Sequence, residues 1–88
     1  MVKRINILYL LDKTYFFCPH FSHTTEKEGD IKFSNIEELK EYLKKLAVVL
    51  KKRKIEIALD KDIPKDNRED LEKLIKENFD KVKIIDYR

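Results

Sequence analysis

Ile5-Asn6-Ile7-Leu8-Tyr9-Leu10-Leu11 is the stretch that decides the fold. Successive side chains of a β-strand point to opposite faces, so a strand with one wet face alternates apolar with polar. Here both alternating sets are apolar except at Asn6. A run of that kind is covered on both sides, which puts it near the middle of a sheet.

Working outward, Asp12-Lys13 separates this run from Thr14-Tyr15-Phe16-Phe17-Cys18, which is rich in strand formers. Two polar residues between two such runs predict an antiparallel hairpin, although a type I′ turn favours Gly or Asn where Lys13 stands. Pro19 has no N–H for a ladder, so the second strand ends there or lies at an edge. His20 to Asp30 has no periodicity and reads as an exposed loop, with Gly29 supplying a turn. Ile31-Lys32-Phe33 is long enough for a short third strand. Ser34-Asn35-Ile36-Glu37 fits the S-x-x-E capping box. The helix it opens carries Ile36, Leu39, Leu43, Leu46 and Leu50 at spacings of three and four, a buried stripe widened by Tyr42 and Val49 and running to about Lys52. Ile55-Glu56-Ile57-Ala58-Leu59 alternates as a strand. Asp66 or Asn67 caps a second helix that buries Leu71, Leu74, Ile75 and Phe79. Val82 to Tyr87 is a last strand.

The order is β-β-(β)-α-β-α-β: one small α/β domain over residues 1–88, with α+β as the neighbouring class. The N-terminal hairpin is antiparallel. The later strands are reached through helices, which predicts right-handed crossovers and a mixed sheet of four to five strands. Whether the helices share a face is left open by the sequence. In element order the chain resembles the ribonuclease H-like superfold, though it is shorter than that fold usually is. The resemblance implies metal-dependent cleavage of phosphodiesters, with acids on the first strand, the first helix and the end of the strand that follows. Asp60 meets the last of these, and Glu37, Glu38 or Glu41 the second. The first strand departs from the pattern, carrying Asn6 and no acid before Asp12.

Composition bounds the alternatives. One cysteine allows no internal disulfide. The apolar N-terminal run is too short for a membrane span, which needs about 20 residues, and lacks a signal-peptide cleavage site. The reading is a cytoplasmic protein with no membrane partner. A single glycine excludes a P-loop and a dinucleotide fingerprint. Charged residues make up 42% of the chain at a net +3, and the Lys/Glu enrichment is of the kind seen in thermophiles.

Four places could carry function. Cys18, His20 and His23 form a C-x-H-x-x-H run that could ligate zinc, with Glu26, Glu28 or Asp30 as a fourth ligand. No second ligand pair accompanies it, and a cysteine in an aromatic strand is commonly an inert buried thiol; no cofactor is the default expectation. Asp60 with Glu38 and Glu41 is the carboxylate set of a nuclease. Lys51, Lys52, Arg53 and Lys54, with Lys3, Arg4, Lys44 and Lys45, form a cationic set for nucleic acid, with Tyr15, Phe16 and Phe17 as stacking platforms. Against this, lysines ending a helix also complement its dipole. Finally, Tyr15, Phe16, Phe17 and Phe21 are hard to bury in so small a domain and predict a homodimer through this strand. A binding or regulatory module that self-associates through Tyr15 to His23 is the leading expectation, and a metal-dependent phosphodiesterase using Asp60 with helix carboxylates, or the Cys18, His20 and His23 cluster, the alternative.

Overall fold

A computed structural model describes residues 3–19 and 31–87. Its elements are β1 (Lys3–Tyr9), β2 (Tyr15–Cys18), β3 (Ile31–Phe33), α1 (Ile36–Leu50), β4 (Lys54–Asp60), α2 (Lys65–Asn78) and β5 (Lys81–Tyr87). The strands form one mixed sheet in the order β3-β2-β1-β4-β5. β1 is therefore the central strand, as its two apolar faces require, and Ile5, Asn6 and Ile7 are all buried. β1–β2 and β2–β3 pair antiparallel, whereas β1–β4 and β4–β5 pair parallel. The third strand exists, and the element order is the expected one.

Both helices lie on one face of the sheet. α1 packs on β2, β3 and α2, and α2 packs on β5. A single core joins Ile5 and Ile7 of β1, Tyr15 and Phe17 of β2, and Ile55, Ile57 and Leu59 of β4 to Leu39, Leu43, Leu71 and Ile75 of the helices. The strand register puts all those strand residues on the same side. Arg4, Asn6, Leu8, Phe16, Cys18, Glu56 and Ala58 consequently belong to the other side. No helix of the described residues is long and apolar enough to cross a membrane.

Local chemistry moved several boundaries. β1 ends at Tyr9, two residues short of the apolar run, because the hairpin loop has three residues, Leu11 to Lys13, and not two. Leu10 N–H donates to Thr14 O at 2.9 Å, and Lys13 N–H to Leu10 O at 2.9 Å. This is a type I turn followed by a left-handed residue. Lys13 occupies that position at φ 68°, while the Asp12 carboxylate accepts from the Thr14 hydroxyl at 2.5 Å. That bond, aided by Lys32 at 3.1 Å, holds the Asp12 carboxyl below the ordinary carboxylate range. Glycine has no Cβ to crowd a left-handed backbone. Lys13→Gly is accordingly expected to raise stability by about 0.5–1 kcal/mol in urea denaturation, with Lys13→Val falling below wild type.

The helix cap lies one residue later than the S-x-x-E box places it. Asn35, not Ser34, caps α1: its Oδ1 accepts from Glu38 N–H at 3.0 Å, and Glu38 Oε1 accepts from Ser34 N–H at 3.1 Å. Asn caps as well as Ser does, so both frames were open, and the returning glutamate is Glu38 in place of Glu37. In α1 the buried stripe is Leu39, Leu43, Ala47 and Leu50, and Val49 points outward with Val48. α2 starts at Lys65 behind Pro64 without a side-chain cap. Asp66 falls in its first turn, and Asn67 turns inward to donate to Tyr15 Oη at 2.8 Å.

Candidate functional site

The parallel register gathers charge that the sequence scatters. Lys3 and Arg4 open β1, Lys54 opens β4, and Lys81 opens β5 with Lys83 two residues on. Because these strands run the same way, their starts lie together at one end of the sheet. Arg4 is opposite Glu56, Glu56 is opposite Lys83, and Lys54 is opposite Lys81. The turn Lys51-Lys52-Arg53 enters β4 at this same end. It is tied to the turn entering β5 by a bond from Asp80 N–H to Lys51 O at 2.9 Å. Lys51, Lys52, Arg53, Lys54, Lys81 and Lys83 are exposed, and Lys3 and Arg4 partly so. Only Glu56 and Asp80 oppose them on these segments, so the excess of cations here is larger than the whole chain's net charge of +3.

Arg4 is held in place at this rim. Its Nε donates to Asn6 Oδ1 at 3.2 Å and its Nη1 lies 3.9 Å from Glu56 Oε1. Those contacts give Asn6, the one buried polar side chain of the described residues, a partner in its otherwise apolar strand. β2 runs antiparallel to β1, with Cys18 opposite Asn6, so β2 finishes at the same end. Lys3 Nζ reaches Pro19 O there at 3.5 Å. Cys18 itself stands midway along β1, level with Asn6 and Ala58.

The four expected sites fare differently. Lys51 to Lys54 form part of the rim, with Lys3 and Arg4 beside them, whereas Lys44 and Lys45 lie on α1 beyond the sheet's other face. Lys81 and Lys83 were missed. Their signal is the Lys-x-Lys spacing that puts both on one face of a strand, and it becomes informative only once β5 is set against β4. Tyr15 and Phe17 face the helices and are buried, at 2% and 1% exposure. Neither is available to stack on a base or to meet a second copy, which corrects their assignment as platforms and as interface residues. Phe16, between them, points to the opposite face, half-buried beside Leu8. Phe21, His20 and His23 lie outside the described residues, as do Glu26, Glu28 and Asp30, so the dimer and zinc expectations are represented here by Cys18 and Phe16 alone. Cys18 is a half-buried free thiol.

The carboxylates of the nuclease reading are not brought together. Asp60 ends β4 at the far end from the basic rim, where its two oxygens accept from Tyr9 N–H at 2.9 Å and Asp62 N–H at 3.0 Å. Glu38 is used at the α1 cap. Glu41 sits 3.7 Å from Lys44, and both glutamates flank a groove over Lys32 and Phe33 of β3. β3 is three strands from β4, about 14 Å at ordinary strand spacing. Among the described residues no three His, Cys, Asp or Glu side chains come close enough to hold one metal ion.

Tyr15 carries the clearest titration signature. Burial raises its phenol above the ordinary value of 10.0, while the Asn67 bond works in the opposite direction. A raised folded value means that its contribution to stability is complete below pH 10 and is lost as pH climbs through the folded value. Ultraviolet titration should therefore show a phenol ionising above pH 10 that is lost in Tyr15→Phe, and the same variant should weaken the loss of stability above pH 10.

Compared with protein-family models, with curated proteins and with solved structures, the chain matches none.

Proposed function

We propose that this chain is a binding module for nucleic acid and that the basic rim contacts the phosphate backbone. One observation carries the reading: three segments remote in sequence, at the starts of β1, β4 and β5, bring their lysines and arginines to one end of a parallel register. A concentrated cationic surface is the electrostatic footprint of a nucleic-acid binder, whereas scattered surface lysines are not. The rim also adjoins a sheet face bearing the half-buried Leu8 and Phe16, which offers bases apolar contacts beyond the phosphates. Lysine and arginine would bind phosphate oxygens through charge-assisted hydrogen bonds and release condensed counterions, giving affinity with little sequence preference.

The test is fluorescence anisotropy with labelled single-stranded DNA and RNA at two salt concentrations. If about three phosphates are neutralised, affinity should fall roughly twentyfold between 50 and 200 mM salt. Replacing Lys52 and Arg53 together by Gln should weaken binding and flatten that dependence. Binding that ignores salt, or no binding at either concentration, would overturn the reading.

A further inference from the structure

We infer that the pocket between the starts of β4 and β5 receives a phosphate monoester at the end of a nucleic-acid strand. The inference rests on the proposed backbone-binding rim and names what its outer extremity takes. The pocket measures about 260 Å³ and is lined by Lys54, Ile55, Glu56, Lys81, Val82 and Lys83.

Lys54 and Lys81 stand directly opposite each other on adjacent strands, with Lys83 on the same face. Like charges placed opposite one another weaken a sheet. Among the described residues none of these three ammoniums has an ion-pair partner. The nearest acid across the ladder, Glu56, is engaged by Arg4 at 3.9 Å. An unrelieved cationic pair at the foot of a strand is a cost to the free protein that a bound anion removes.

The charge of the ligand follows from the number of cations. An internal phosphodiester carries one negative charge, while a monoester carries between −1.5 and −2 at neutral pH. Three lysines about one pocket match the second better than the first. Ile55 and Val82 turn their side chains to the helix-covered face, so the lysine stems supply the apolar wall beside the ammoniums, as the sugar and base attached to such a phosphate require. β5 is the outermost strand, so the cationic track along the rim stops at this pocket. A strand passing over it would leave the protein, and a strand ending in it would be held. The volume falls just below the usual range of about 300–1,000 Å³ for small-molecule pockets, room for one terminal nucleotide.

The experiment compares labelled oligonucleotides identical except for a 5′-phosphate, a 3′-phosphate or hydroxyls at both ends. One phosphorylated end should bind roughly tenfold tighter than the hydroxyl form, the worth of about one additional charge-assisted bond. In Lys54→Gln/Lys81→Gln that ratio should fall to about one; Lys52→Gln should weaken both forms alike and keep the ratio. These lysines are exposed, and circular dichroism checks that the variants fold. Equal wild-type affinity for phosphorylated and hydroxyl ends would overturn the inference and leave the rim as a backbone site. No binding of any oligonucleotide would overturn both. A mononucleotide bound as tightly as the phosphorylated oligonucleotide would overturn it too, since the pocket would then serve free nucleotides.

Discussion

Phe17→Ala should destabilise the protein by about 3–5 kcal/mol, the usual cost of removing a buried aromatic ring. Phe17 is 1% exposed, packs edge-on against Tyr42 with ring centroids 5.0 Å apart, and faces the α1 stripe. Domains of this size hold a total stability of only several kcal/mol, so the variant will be largely unfolded or molten near room temperature. Phe16→Ala, one residue away on the opposite face, should cost about 1 kcal/mol because its ring is only half-buried. Urea denaturation of the pair is the measurement. If Phe17 served a dimer interface instead, Phe17→Ser would dissociate a dimer and leave a folded monomer. Light scattering beside the denaturation curve separates the two results.

Asp60→Ala should cost about 2–3 kcal/mol, since it strips acceptors from two backbone N–H groups that a charged oxygen now serves. One of those donors, Tyr9 N–H, ends the central strand and is partly buried. Asp60→Asn should lose less, keeping one acceptor oxygen. The check is denaturation together with hydrogen exchange at the Tyr9 amide, whose protection should drop in Asp60→Ala and fall least in Asp60→Asn. Any fall in an assayed activity of Asp60→Asn has to be set against this loss, because the carboxylate fastens β4 to β1. A nuclease role would show as lost magnesium- or manganese-dependent hydrolysis in a variant whose melting temperature is unchanged.

Much of the fold was legible in the sequence because it is written as periodicity. Leu39, Leu43 and Leu50 keep helical spacing, Ile55, Ile57 and Leu59 keep strand spacing, and the doubly apolar β1 could only be central. What escaped depends on contacts between distant segments. Alternation says that Tyr15 and Phe17 share a face opposite Phe16, but not which face the helices cover. Val49 escaped because the short Ala47 fills the buried stripe, and Val49 turns outward with its neighbour Val48. Ser34 and Asn35 are both good caps, and only the folded geometry shows that Asn35 accepts from Glu38 N–H. The same limit applies to the rim. The tract Lys51 to Lys54 is visible as a run, while its junction with Arg4, Lys81 and Lys83 exists only after two parallel registers are fixed.

The central position of β1 has a consequence for synthesis. Lys3 lies opposite Ile55, so the side of β1 that receives β4 stays bare until more than half of the chain has left the ribosome. The hairpin of β1, β2 and β3 emerges first, carrying Ile5, Ile7, Tyr15 and Phe17 with no helix yet to cover them. Pairings this remote in sequence form slowly, and an open apolar strand edge is the feature through which nascent chains aggregate. Polypeptides stalled before residue 54 should therefore precipitate or recruit chaperones, and those extended past residue 60 should begin to resist proteolysis.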